Sequence, residues 1–429
     1  MSLSPLNESG QVVDWWFAYK VPHLPQSAET AAADGTEYAY YDDPAKAVVA
    51  SPYSTDSKEG ALGETLAALF GNPTDSKGYI LYNDERPTTP PKDNGACGHT
   101  KGVLAFDVAS KTGFWLLHSW PKYPAADDSA TPARDYGQTF LCLSLSLDQL
   151  GALANQMVSY QQPQVYYSKL PASLPKSHGL SKLAAGVNLK APGGTNVLTL
   201  TTLGLNGRKN AFKVIAKNSA WNDDFWNDLV APTLKTNLDV ETWIRGGAKV
   251  IPSTTDPTNT YSVTDMKFVS LKNIDAQKLP WEWPEVKDHA KWAISEKDEG
   301  DWICVGDINR MISQRKRGGC TIAFQDVDNV LWGILFETDV IVAPPGSGWD
   351  EDKTRKVINW ANSPPDISDD SSHRRFRRTA SAKKPTPTAR KPAAATKKPA
   401  AATKKPVAAK KKPAAATTKK AATTKKGRG

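Results

Sequence analysis

Two short motifs carry the chemistry legible in this chain, His99-Thr-Lys101 and His289-Ala-Lys291. The substrate type that calls for such a pair is a phosphodiester, whose negative charge near neutral pH repels anionic nucleophiles. A neutral imidazole attacks phosphorus instead and forms a covalent phosphohistidine. A second imidazole, protonated, donates to the departing alkoxide oxygen. Two lysines and an amide hold the non-bridging oxygens as charge builds in the transition state. This chemistry requires neither metal nor cofactor, and the sequence offers no obvious carboxylate cluster for a pair of magnesium ions.

The elements around the motifs must place them together. Gly78–Asn83, Gly102–Asp107 and Phe114–His118 read as strands, and the turn-rich Val108–Gly113 joins the last two as an antiparallel hairpin. Trp292–Ser295 and Trp302–Val305 repeat the pattern around Glu296–Gly300. Each hairpin thus starts at a His-x-Lys, passes a Gly-x-Trp (Gly113–Trp115, Gly300–Trp302) and ends in polar residues: His118, Ser119 and Lys122, or Gly306, Asp307 and Asn309. Residues i and i+2 of a strand share a face, so each histidine projects with its lysine. Local hairpin geometry then predicts His118, Ser119 and Lys122 beside His99, and Asp307 and Asn309 beside His289. Packed across a pseudo-two-fold axis, both groups would meet in one cleft. Three of the chain's six histidines fall in this constellation, which weighs against incidental placement. Apolar residues at helical spacing predict helices over Ser146–Val158 and Asp223–Ala231.

Composition bounds the rest. The 429 residues, 39% hydrophobic, suffice for a large core. No stretch approaches the roughly 20 apolar residues of a membrane helix. Met1–Pro5 has neither a basic start nor an apolar run, so no secretory signal peptide is read and the expected location is the cytosol or export by another route. Cys97, Cys142, Cys304 and Cys320 form no Cys-x-x-Cys pair, and free thiols are expected. The net charge of +9 conceals an asymmetry: His373–Gly429 has 14 Lys, 6 Arg and no acid, so it carries +20 and leaves −11 for the remainder. That basic segment repeats Lys-Pro-Ala-Ala-Ala-Thr at Lys391, Lys398 and Lys412. Its prolines break helices and its alanines cannot offset the ordering entropy, so residues 366–429 are expected to be a disordered tail with salt-dependent, sequence-independent affinity for nucleic acid.

The chain resembles the phospholipase D superfamily in its paired His-x-Lys motifs, and more closely the deoxyribonuclease II family. The segments that carry the resemblance are Asn7–Phe17, Tyr79–Asp84, Gly98–Val103, Asp288–Trp292, Gly306–Arg310 and Arg317–Gly319. It implies an α/β fold: a phospholipase D-like pseudo-dimer of two α/β/α sandwich halves in one chain. The expected division is 1–165 for the N-terminal half, 166–190 for the connection, 191–360 for the C-terminal half and 366–429 for the tail. The resemblance further implies a metal-independent, acid-favouring endonuclease on double-stranded DNA that leaves 3′-phosphate and 5′-hydroxyl ends. By carry-over, His99 and Lys101 form one half-site and His289, Lys291 and Asn309 the other. His118 matches a histidine typical of the family, and analogy makes His99 the nucleophile. Ser119, Lys122 and Asp307 remain as substrate-binding candidates. There are departures: the superfamily's Asp five residues after the lysine is Phe106 in one half and Glu296 in the other, Lys122 stands where the second half has Asn309, and the basic tail is not a family feature. Two alternatives stand beside this reading, a histone-like DNA-compacting protein acting through its tail, and a phosphodiesterase of the same fold acting on RNA or phospholipid.

Overall fold

The computed structural model describes residues 3–337 apart from 27–30, 71–73, 88–94, 126–133, 245–248, 255–259, 272–273, 275–279, 297–298, 327 and 329. The basic tail and the end of the expected C-terminal half lie outside the described residues. The fold is mixed α/β with two main sheets.

The eight-stranded sheet contains β1 (Trp15–Lys20), β2 (Tyr38–Asp42), β3 (Val49–Ala50), β4 (Lys77–Asn83), β5 (Lys101–Asp107), β6 (Thr112–His118), β7 (Gln138–Ser146) and β8 (Val165–Lys169). The seven-stranded sheet contains β9 (Thr195–Thr201), β10 (Ala211–Lys217), β11 (Leu238–Thr242), β12 (Val263–Asp265), β13 (Lys291–Ser295), β14 (Trp302–Gly306) and β15 (Gly319–Gln325). The first sheet runs β8-β4-β5-β6-β7-β1-β2-β3, and the second, read from its far edge, runs β12-β11-β13-β14-β15-β10-β9. Seven positions thus correspond, with β5–β6 and β13–β14 as the two His-x-Lys hairpins. The outer pairs differ in sense, β4–β8 being antiparallel and β11–β12 parallel. Strand β8 straddles the expected boundary at residue 165 and forms an edge of the first sheet.

Alternation along the strands explains the layering. Trp15, Phe17 and Tyr19 of β1 and Leu104 and Phe106 of β5 share one core with Phe212 and Val214 of β10 and Ile322 and Phe324 of β15. Direct ring contacts join the sheets: the Trp15 centroid lies 5.7 Å from that of Phe212 and 5.2 Å from that of Phe324. The alternate residues, Val103 and Ala105 of β5, face a second core with Leu62 and Leu66 of α1 (Gly60–Phe70). Ala293 of β13 faces a third core with Phe225 and Trp226. Strands buried on both faces read as unbroken apolar runs, which made these hairpins visible in the sequence.

Ser146 caps α2 (Leu147–Gln156) by accepting from the Gln149 N–H at 3.3 Å. The predicted helix over Asp223–Ala231 takes another form. Asp224 caps a wide π-type turn, Phe225–Val230, and regular helix follows only over Ala231–Leu234. The reason lies in its aromatic anchor: the Trp226 indole donates to the Ile308 carbonyl at 2.9 Å, tying this turn to the end of β14. The four cysteines are buried and form no disulfide with one another. Among the described residues, no helix is long and apolar enough to cross a membrane.

Candidate active site

The site lies where corresponding strand ends of the two sheets meet: the starts of β5, β7, β13 and β15, and the ends of β1, β6, β10 and β14. Its first feature is an exchange between halves. The His99 Nδ1 bonds the carbonyl oxygen of Asp307, and the His99 N–H donates to the Gly318 carbonyl at 2.9 Å. Reciprocally, the His289 Nδ1 lies 3.0 Å from the Ser119 carbonyl oxygen, and its N–H donates to the Gly137 carbonyl at 2.9 Å.

This corrects the expectation from local hairpin geometry. Ser119 serves His289 and Asp307 serves His99, because each return strand ends at the seam with the other sheet. Paired bonds fix the correspondence further. Thr139 N–H donates to Ser119 Oγ at 3.0 Å, as Cys320 N–H donates to Asp307 Oδ1 at 2.8 Å. Ser119 therefore matches Asp307, and Pro121, not Lys122, matches Asn309. Lys122 stands exposed on a turn at φ 60°. Asn309 is buried and its Oδ1 has no hydrogen-bond partner.

A carbonyl oxygen only accepts, so the Asp307 carbonyl puts the proton on His99 Nδ1, and the Ser119 carbonyl favours the same tautomer at His289 against the competing approach of Lys291 Nζ to that Nδ1, which leaves the Nε2 atoms to do chemistry. Burial holds His99 well below the ordinary histidine pKa, with Lys101 adding to the effect and Asp84 opposing it. His289 is lowered in the same way by burial, then by Lys291 and Lys101. His99 is thus a neutral imidazole with a free lone pair on Nε2, which lies 3.7 Å from Asp84 Oδ2.

The two lysines differ in their partners. Lys101 pairs with Asp84 Oδ1, and Arg317 reaches Asp84 Oδ2 at 3.3 Å and the carbonyls of Cys97 and Gly98 at 2.7 and 3.1 Å. Burial pushes the Asp84 carboxyl up, but the charges of Lys101 and Arg317 outweigh it and hold Asp84 well below the usual carboxylate range. Lys291 folds back on the His289 carbonyl, with Nζ 3.2 Å from His289 Nδ1. Burial, then the charge of Lys101, lowers Lys291 well below an ordinary lysine. Two ammonium groups so placed repel, and an anion between them relieves the repulsion.

His118 is buried, accepts from Trp120 N–H through Nδ1 at 3.1 Å and leaves Nε2 without a partner. Burial, then Lys101, brings its pKa down to about 3, so it is a neutral N–H donor. Asp288 anchors the second motif: Oδ1 accepts from Ala290 N–H at 2.7 Å, and Oδ2 from the Trp283 indole at 2.9 Å and from the Tyr19 hydroxyl.

Sequence reasoning gave no role to Asp84, Arg317, Asp288, Lys20 or Lys217. Lys20 Nζ donates to the carbonyls of Tyr136 at 2.7 Å and Arg134 at 3.2 Å, and Lys217 Nζ to those of Gln314 at 3.1 Å, Arg315 at 3.0 Å and Arg317. These two buried lysines end β1 and β10, the corresponding strands, and grip the loops that lead to Gly137 and Gly318. The usable signal was the recurrence of lysine at both strand ends.

The sequence profile described as Deoxyribonuclease II matches residues 4–336. The chain belongs to the deoxyribonuclease II family. It is 48% identical over 367 residues to the protein named "Putative deoxyribonuclease-2" in Burkholderia pseudomallei (strain K96243), covering 85% of this chain and 100% of that one. It is 50% identical over 347 residues to the like-named protein of Burkholderia thailandensis, covering 81% and 95%. With deoxyribonuclease-2-alpha of Rattus norvegicus it shares 32% identity over 336 residues, covering 76% and 90%. The deoxyribonuclease II match takes in every site residue above and stops short of the basic tail.

Proposed function

We propose that this deoxyribonuclease II family member hydrolyses phosphodiester bonds of double-stranded DNA through a phosphohistidine, without a divalent metal and best at acid pH. One observation carries the reading: carbonyls from opposite halves favour the Nδ1–H tautomer of both histidines, which presents two Nε2 atoms among two lysine ammoniums. The matching strand orders support the phospholipase D-like pseudo-dimer.

In the proposed reaction, His99 Nε2 attacks phosphorus and the P–O5′ bond breaks. The departing O5′ takes a proton from His289 Nε2, which has been protonated from solvent. Lys101 and Lys291 meet the charge on the non-bridging oxygens. His289 then takes a proton from water as that water attacks phosphorus, the N–P bond breaks, and a 3′-phosphate is released. Asp84 and Arg317 keep Lys101 in place. His118, a neutral donor beside Lys101, adds an N–H toward the phosphoryl group, and Asn309 is proposed as the amide of the second half-site.

The test is nicking of a supercoiled plasmid at about pH 5 in excess EDTA, with end-labelling of the product. Wild type is expected to nick and leave 3′-phosphates, and His99→Ala to lose at least about a thousandfold in rate. Activity that EDTA abolishes, or that survives loss of His99, overturns the mechanism. Cleavage of RNA or phospholipid in preference to DNA overturns the substrate.

The pH dependence follows from the same groups. Because His289 sits below its ordinary pKa, its acid form is scarce at neutral pH and grows as pH falls. The rate kcat/KM is therefore expected to rise from about pH 8 toward pH 5. A profile that rises with pH would remove His289 as the general acid.

A further inference from the structure

The two ends of the site differ in a way the proposed chemistry does not use. Asn83 pairs with Lys101 across β4–β5, and Thr242 pairs with Lys291 across β11–β13. The next residue is Asp84 in the first case and Trp243 in the second. Likewise the residue before the carbonyl that holds each histidine N–H is Arg317 on one side and Tyr136 on the other. Where His99 has a carboxylate and a guanidinium, His289 has two aromatic rings.

Those rings form one wall. The Trp243 centroid lies 4.5 Å from that of His289 at an interplanar angle of 53°. Tyr136 meets Trp243 edge-on at 6.0 Å and lies 6.3 Å from His289. Both rings are half-buried. The Trp243 indole nitrogen is buried with no hydrogen-bond acceptor. An unpaired indole N–H costs free energy unless something arrives to accept from it. A wall of this kind offers little to a phosphate, which the lysines and Arg317 attract elsewhere. It suits a flat, uncharged ring that carries acceptor atoms.

We propose that Tyr136 and Trp243 form a nucleobase subsite that stacks the base of the nucleoside bearing the departing 5′-oxygen. The inference rests on the phosphodiesterase reading with His289 as acid. It deepens that reading by giving the site a direction along the strand, because the charged end takes the retained 3′-phosphate and the aromatic end takes the departing nucleoside. A base within a duplex has both faces covered by its neighbours, so the subsite takes this base after it has left the stack, and it tolerates every base, since each has a π-face.

The test uses duplex oligonucleotides with a single cleavable phosphodiester between methylphosphonate linkages. One substrate is complete, one is abasic on the departing side and one is abasic on the retained side. Base–aromatic stacking corresponds to a factor of roughly 5 to 150. The ratio of wild-type to Trp243→Ala kcat/KM is expected to be greater by that factor for the complete substrate than for the one abasic on the departing side. Trp243→Phe, which keeps a ring, is expected to recover most of the difference. Tyr136→Leu should show the same base dependence more weakly, and it serves as the second variant if Trp243→Ala does not fold. Equal losses on all three substrates would mean that Trp243 merely supports His289, and would overturn the subsite. Dependence on the retained-side base would overturn its direction. Failure of the wild-type enzyme to cut the complete substrate would instead sink the phosphodiesterase reading, and the subsite with it.

Discussion

Asp307 serves the site through its backbone more than through its charge. Its carbonyl oxygen sets the His99 tautomer, while its carboxyl accepts from Cys320 N–H and is pushed up to about 8, mainly by burial. The carboxyl is thus neutral at the acid pH proposed for turnover. Asp307→Asn keeps the shape and the acceptor, so at about pH 5 its kcat/KM is expected within roughly threefold of wild type. Asp307→Ala opens a buried gap beside Cys320 and is expected to lose about tenfold or more. Inactive Asp307→Asn at that pH would show that the carboxylate charge is needed after all. Stability offers a second readout. A carboxyl whose folded pKa is raised contributes stability below its unfolded value, near 4, and that stability is lost as pH rises through about 8. Urea midpoints of wild type should therefore fall relative to those of Asp307→Asn across that window. A constant difference would contradict a neutral Asp307.

At the scale of elements, strand ends decide where the chemistry sits. Lys20 and Lys217 close β1 and β10 and bind the carbonyls one residue before Gly137 and Gly318, the acceptors of the two histidine N–H groups. Each lysine is thus two hydrogen bonds from the backbone N–H of a motif histidine. Replacing either with Met leaves buried carbonyls unpaired and loosens a loop that holds a motif histidine, so kcat should fall roughly 10- to 100-fold with KM changed much less. A rise in KM alone would show that these lysines act on substrate and not on loop position. The hairpins that carry the two motifs were legible because strands buried on both faces are written as apolar runs bounded by turns. The α2 helix was legible from its apolar residues at helical spacing. The exchange of Ser119 and Asp307 between halves was not, because hairpin geometry is local while the His99–Asp307 bond spans 208 positions. Asp84 and Arg317 lay within segments that carried the family resemblance, but nothing in their spacing predicted that they would meet. The lysine clamps were hidden because a lysine at a strand end usually reads as solvated.

At the scale of the whole molecule, charge and connectivity take over. Residues 1–372 are acidic, with −11 against +20 for His373–Gly429, and should repel DNA at neutral pH. We propose that the tail offsets this by displacing counterions from the DNA backbone. Deleting residues 366–429 is expected to leave the fold intact, weaken DNA binding most at low salt and flatten the salt slope by about 0.9 for each phosphate the tail neutralises. An unchanged slope would leave the tail no part in substrate capture. Connectivity has a different consequence, which concerns synthesis. A ribosome delivers His99 and Lys101 long before it delivers Asp307 and Gly318, the groups that orient His99. Until the β14–β15 connection has emerged and docked, the nascent chain holds a histidine with no tautomer imposed on it and no second motif in register. Both halves of the site are therefore complete only once β15, the last strand in chain order among the described residues, is in place.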